Sequence, residues 1–165
     1  MINFKKGPAL SLHQVNYIGK AVDGEEIEAG HVVRLNDNDG VVEVLKGASS
    51  SSVSKDAVYG FAINNQDAGD VIESGVIGVY ALDGASVIET DKLPTGYQTS
   101  DYPIGAQVTT NTDGEIIPLP NGFTGKVLGQ VEGFRSLPKS TTVTVNGKNV
   151  KVQGVVEFIG IKLLS

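Results

Sequence analysis

At 165 residues the chain is long enough for one substantial core or two small ones. With 40% apolar residues, 19% charged residues and 21 glycines, it reads as globular and turn-rich rather than disordered. The complete lack of cysteine excludes a disulfide framework, a thiolate zinc site and a thiol nucleophile. Net charge is −6, unevenly spread: residues 1–20 carry three lysines and no acid, residues 21–120 four basic and seventeen acidic side chains, and residues 121–165 six basic and two acidic. A middle that acidic excludes a nucleic-acid partner, which needs clustered Lys and Arg to neutralise phosphates.

In chain order, residues 1–18 form an N-terminal arm. It carries the apolar anchors Ile2, Phe4 and Leu10, the cations Lys5 and Lys6, and Pro8. No continuous apolar stretch follows the two lysines, and no later segment approaches the ~20 apolar residues of a membrane-spanning helix. The expectation is a soluble chain without signal peptide or membrane partner. Beyond the arm, short runs rich in Val, Ile and Tyr alternate with Gly, Asn and Asp clusters, the pattern of strands joined by tight turns. The pattern predicts strands over 31–35, 41–45, 58–63, 71–82, 107–110, 115–119, 126–132, 141–145 and 150–164. Of these, 76–82 and 155–164 are nearly continuous in apolar residues and are expected to be the most buried. Helical periodicity is lacking, and a short helical turn near 91–95 is the most the sequence allows.

Three turns have chemistry that tolerates positive φ: Asn36-Asp37-Asn38-Asp39-Gly40, Asn111-Thr112-Asp113-Gly114 and Val145-Asn146-Gly147-Lys148. All three read as hairpin tips. The serine-rich stretch within 45–56 cannot bury enough apolar area to offset its ordering entropy and is expected to be a mobile loop. Residues 96–103 read as a connection.

One strand-turn-strand plan of roughly eighty residues occurs twice, as judged by matched blocks in the same order. Gly30, Val33, Asn36, Asp39 and Gly40 match Gly105, Val108, Asn111, Asp113 and Gly114. The segment Val58-Tyr59-Gly60-Phe61-Ala62 matches Val127-Leu128-Gly129-Gln130-Val131, and Val71 to Ile77 match Val150 to Val156. The fold class expected is therefore all-β, a small β-barrel or β-sandwich of β-clip-like or β-tulip-like type with an internally duplicated unit. Its first β unit spans 19–92 and its second 93–165, the two able to pack as one domain.

Catalysis needs a poised nucleophile, acid or base, usually with a partner that shifts its pKa. His13 and His31 are the two histidines, and neither belongs to a metal-ligand spacing. Asp37 and Asp39 do not fit a calcium loop, because position one would fall at Leu35 and position twelve at Lys46. Gly122-Phe123-Thr124-Gly125-Lys126 fails as a phosphate loop, with Pro120 at the first glycine and Val127 after the lysine. Glu25 and Glu26 are adjacent, so their side chains diverge and form no glycosidase pair. The expectation is no catalytic, cofactor or metal residue.

The run from Glu26 through Ala29, Gly30 and His31 to Leu35 resembles the opening of small β-clip-like domains. Tyr59-Gly60-Phe61-Ala62, Ser74-Gly75-Val76-Ile77 and the closing Val156 to Leu163 make residues 19–164 similar in pattern to glycine-rich virion proteins of tailed phages, in particular head decoration proteins. That resemblance implies a non-enzymatic structural virion protein on the capsid surface, made in the host cytoplasm. It further implies a homotrimer whose partner is the major capsid protein, with Ile2, Phe4, Lys5, Lys6, Pro8 and Leu10 as capsid contacts able to add as a strand to an exposed edge. The alternative is a tail- or fibre-associated adhesin that binds carbohydrate.

Overall fold

The computed structural model describes residues 2–6, 17–22, 24–38, 40–48, 57–63 and 76–164, with the backbone alone for 2–6, 17, 38 and 76. Among the described residues there are eleven strands and one turn of 3-10 helix: β1 (Ile2–Lys6), β2 (Tyr17–Ala21), β3 (Val32–Asn38), β4 (Val41–Lys46), β5 (Val58–Ala62), β6 (Val76–Ala81), β7 (Val87–Thr90), the helical turn Thr99–Asp101, β8 (Gln107–Thr110), β9 (Ile116–Pro118), β10 (Gly129–Val145) and β11 (Lys148–Leu163). The all-β class read from the sequence is the one observed. Strands β2-β4-β3-β5-β6 close into a barrel, and β1-β7-β11-β10-β8-β9 form a six-stranded sheet beside it.

Alternation along each strand divides the apolar residues between two cores. Inside the barrel lie Ala21, Ile27, Val33, Val44, Ala62, Ile77 and Val79. The alternate positions Val32, Tyr59, Phe61 and Tyr80 point outward and meet Ile88, Val108, Leu128, Ile159, Ile161 and Leu163 from the sheet. Each of these large side chains, once fully buried, contributes about 1.5–3 kcal/mol. The seam between barrel and sheet is also hydrogen-bonded. Val32 N–H donates to Gly114 O at 2.8 Å, Ala48 N–H to Asn111 O at 3.0 Å, and the buried Thr90 hydroxyl to Gly30 O at 2.9 Å.

Of the matched sequence blocks, the first lies on β3 in the barrel and β8 in the sheet, and the second on β5 and at the start of β10. Strand order β2-β6-β5-β3-β4 in the barrel recurs as β7-β11-β10-β8-β9 in the sheet, with β7 in the place of β2. Gly60 of β5 and Gly129 of β10, matched in sequence, both lie where a neighbouring backbone crowds the position. A Cβ on Gly60 would sit 2.5 Å from Tyr80 O, and one on Gly129 2.5 Å from Lys162 O. The third matched block is outside the described residues in its first copy over 71–75, as is the serine tract at 49–56.

Several expectations need correction. β7 had not been expected, and the helical turn falls at Thr99–Asp101 instead of 91–95. The strands expected over 126–132 and 141–145 are one continuous β10, because its pairing with β11 runs without a gap from Phe134↔Ile159 to Val145↔Lys148. The stretch 155–164 is not buried throughout: Val155 is 65% exposed, and the buried part begins at Phe158, where β7 joins β11.

Gly60→Ala is expected to destabilise the protein by about 2 kcal/mol, since the new methyl meets a backbone carbonyl that cannot move alone. At Gly154, where the nearest atom to an added Cβ is Lys139 O at 3.8 Å, the same change is expected to stay within about 0.5 kcal/mol. Urea denaturation of the two variants checks the contrast.

Candidate interaction surface

The β10–β11 hairpin outgrows the sheet. β10 pairs with β8 only at Gly129 and Gln130, and β11 pairs with β7 only from Ile159 to Lys162, so the remaining ladder is a two-stranded ribbon. Its tip is the Val145-Asn146-Gly147-Lys148 turn expected from the sequence. Asn146 (φ 51°) and Gly147 (φ 76°) both take the left-handed conformation that a two-residue hairpin requires. Every residue from 138 to 155 is exposed.

The root of the ribbon is fastened on both faces. On one, Arg135 donates from Nε (3.0 Å) and Nη2 (2.6 Å) to Glu89 Oε2, while its guanidinium lies 5.3 Å from the centre of the buried Phe158 ring. On the other, Phe134 packs edge-on to Tyr102 and Tyr102 edge-on to Tyr97, with ring centres 6.2 and 6.0 Å apart. Tyr97 donates its hydroxyl to Glu157, and Tyr102 donates to Ile116 O at 2.8 Å. Burial raises both phenols, Tyr102 to about 12, and the Glu157 carboxylate raises Tyr97 further. Beside this root, Asp91, Tyr97, Lys139, Val155 and Glu157 line an open groove of about 480 Å³.

Cross-strand pairs share a face, so the register fixes the ribbon's two sides. Thr144 with Asn149, Thr142 with Lys151, and Ser140 with Gln153 make one side polar, and Thr144 Oγ1 and Asn149 Oδ1 are hydrogen-bonded at 3.0 Å. The other side carries Val145, Val143 with Val150, and Thr141 with Val152. These valines are 51%, 37%, 45% and 46% exposed for positions 145, 143, 150 and 152. Odd-numbered β11 residues Ile159, Ile161 and Leu163 face the barrel, so the even-numbered valines face away from it. The ribbon is thus amphipathic, with its apolar side turned from its own barrel. Its cations are Lys139, Lys148 and Lys151, and residues 138–155 contain no acid.

Several other titratable groups are engaged in holding the structure. His31 Nδ1 accepts the Glu28 N–H at 3.0 Å, and Glu28 is ion-paired with Lys92. Burial, with Lys92 and Lys46 nearby, pushes His31 down to about 4. Burial opposes the ionised form of Asp83, but hydrogen bonds from Ser86, Tyr80 and the amides of Ser86 and Ala85 outweigh it and lower it to about 2. Asp37 accepts the Gly40 N–H at 2.9 Å, which closes the β3–β4 tip, while Asp39 lies outside the described residues. Among the described residues, no three His, Asp or Glu side chains are grouped to hold a metal ion.

Of the residues expected to touch a capsid, Ile2, Phe4, Lys5 and Lys6 lie in β1, and Pro8 and Leu10 fall outside the described residues. β1 runs antiparallel to β7, with Ile2 opposite Thr90 and Phe4 opposite Ile88, at the edge of the sheet. The ribbon, by contrast, is a surface that the expected contact residues do not include. The strict alternation of apolar and polar residues over 142–145 and 149–153 is the signal that could have found it.

Two predictions follow from these contacts. Arg135→Ala removes a bidentate partner from a carboxylate whose side chain is 5% exposed, and is expected to cost about 2 kcal/mol in urea denaturation. His31 titrates near 4 folded but near 6.5 unfolded, so the unfolded chain takes up the proton first as pH falls. Its stability contribution is complete above pH ~6.5 and is lost progressively toward pH ~4, by on the order of 1 kcal/mol at pH 5 after solvent screening. His31→Gln is expected to flatten the dependence of the urea midpoint between pH 7.5 and 5.

No protein-family model matches this chain, and no curated protein matches it. A solved structure described as the head fiber gp8.5 N base in bacteriophage phi29 is similar over 100% of this chain and 98% of that one, at 13% identity and a TM-score of 0.45. A likeness of that degree does not assign this chain to a family.

Proposed function

We propose that this chain is a non-enzymatic structural protein of a tailed-phage virion, a decoration protein bound to the assembled head and self-associated as a homotrimer. The observation that carries the reading is the ribbon: a body with two apolar cores holds out a two-stranded arm, one face of which carries four valines that are 37–51% exposed. Such a face serves binding to a protein surface, and His31, Glu28, Lys92, Asp83 and Glu89 of the body are engaged in turns, strand contacts and the seam. The attribution to a phage head rests on the sequence pattern of residues 19–164. A carbohydrate-binding adhesin draws less support, because among the described aromatic side chains none is exposed, and glycan stacking needs an open ring.

In this reading the N-terminal segment makes the capsid contact, through Ile2, Phe4, Lys5, Lys6, Pro8 and Leu10. Its position at a sheet edge supports that role, since an edge strand can be joined or exchanged with a partner's strand. Co-sedimentation with empty capsids tests it. The full chain is expected to pellet with capsids, the chain lacking residues 2–10 to stay in the supernatant, and the folded double variant Lys5→Glu, Lys6→Glu to bind at least about tenfold more weakly. Unchanged binding by both variants removes the segment from the mechanism, and a full chain that never pellets removes the decoration role.

A further inference from the structure

We propose that the valine face of the ribbon docks on the acidic body of a second copy of this chain, each copy giving a ribbon to one neighbour and receiving one from another around a closed ring. The proposal rests on the self-association part of the proposed function and is independent of capsid binding.

An isolated two-stranded ribbon is marginal in water, and alternation of Val with Thr, Asn, Lys and Gln is the pattern of a strand covered on one side. The polar side needs no cover, since it faces solvent with Thr144 and Asn149 already hydrogen-bonded. The valine side is left open by the described residues of the chain's own body, with its four valines 37–51% exposed. Its cover therefore has to come from elsewhere.

Charge selects the cover. Residues 138–155 hold Lys139, Lys148 and Lys151 and no acid, whereas residues 21–120 hold seventeen acidic and four basic side chains. A ribbon laid on another copy's body brings opposite charges together. A ribbon laid on another ribbon does the reverse. Lys139 and Lys148 lie on the valine face at its two ends, so an antiparallel pair sets Lys139 of one beside Lys148 of the other, and a parallel bundle stacks like on like.

Area points the same way. Eight residues at ~3.3 Å each and a width of ~10 Å give the ribbon a face of roughly 260 Å². A stable partner surface needs about 800 Å². Two ribbons alone reach about a third of that, while a ribbon seated on a body brings its root and the flanking body surface into the same contact. Ribbon on body is a heterologous contact, which closes as a ring when the rotation allows.

Three chains test this by sedimentation equilibrium: the wild type, the triple variant Val143→Thr, Val150→Thr, Val152→Thr, and a chain in which residues 140–153 are replaced by Asn-Gly. Threonine keeps the shape and strand preference of valine while removing the apolar face. The replacement joins Lys139 to Gly154, already cross-strand partners, by a two-residue turn. The wild type is expected to be a closed oligomer, the triple variant to dissociate at a concentration on the order of a hundredfold higher, and the ribbonless chain to be a monomer. A tagged ribbonless chain, with its acceptor body intact, is then expected to retain untagged wild type from a mixture. A monomeric wild type, an unchanged oligomer in the triple variant, or a tagged ribbonless chain that folds but retains no wild type overturns the proposal, the last because it leaves ribbon-to-ribbon contact. Failure to fold by the ribbonless chain leaves the triple variant to decide. Loss of capsid binding with these results intact counts against the decoration role alone.

Discussion

The bulge between Val131 and Gly133 is the small irregularity on which the rest of the sheet depends. Side chains alternate along a strand, so Val131 and Phe134, three residues apart, belong on opposite faces of a regular β10. One extra residue at the bulge puts both on the barrel side, where Val131 is buried and Phe134 packs against the same core. β11 carries no compensating irregularity: Ile159, Ile161 and Leu163 face the barrel throughout. Once the bulge has been passed, the pairing Phe134↔Ile159 locks the two strands in register, and every later face is decided. Arg135 and Phe158 fall on the outer side, where Glu89 receives the guanidinium, and Val143, Val150 and Val152 follow them. The location of the valine stripe is thus a consequence of how the core is packed some thirty to forty Å away along the ribbon, at ~3.3 Å per residue. A slip of one residue would exchange the two faces of the slipped strand.

The shared strand order explains why one half carries such a ribbon and the other does not. In the barrel, β2 pairs in parallel with β4 and closes the set, so five strands enclose a space too narrow for a side chain at Gly60. In the sheet, β7 pairs with β1 instead, and one hydrogen bond from Ile116 N–H to Lys92 O, 2.9 Å, stands near where closure would occur. An open set does not limit the length of its strands. β10 and β11 are 17 and 16 residues long, against five and six for β5 and β6, which hold the corresponding places in the barrel. Gly60 and Gly129 each allow the close approach of a neighbouring strand, while the strand lengths differ.

What was legible in the sequence was local. The tips at 36–40, 111–114 and 145–148 declare themselves because positive φ demands Gly, Asn or Asp, and each is observed as a turn. The strand β7 did not declare itself: four residues, Val87-Ile88-Glu89-Thr90, with a charge and a hydroxyl among them, look like a loop. They are buried because distant groups satisfy them, Arg135 at Glu89 and Gly30 O at Thr90, and no local pattern encodes partners 46 and 60 residues away. The middle of β10 was hidden for a related reason. Ser136-Leu137-Pro138-Lys139-Ser140 reads as a break, since proline removes a ladder donor and is excluded from central strands. Beyond Gln130, β10 has no third strand beside it, and an edge position accepts proline.

The sequence pattern and the monomer disagree about the end of the hairpin, and the disagreement is informative. Alternating valine and polar residues predict a strand with one face covered, whereas the described residues leave that face open at each of the four valines. In the core the same kind of prediction succeeds: Val32 and Val33, read as part of one strand, are buried in two different cores by alternation alone. The rule is therefore followed where a second layer exists and unfulfilled where the strand has left it. Alternation is a property of the interface a strand makes, and the chain that makes that interface need not be the same chain. A ribbon whose pairing is complete and whose polar and apolar sides are both exposed is half of a contact, with a register set by the buried core and a charge opposite to that of the chain's acidic middle.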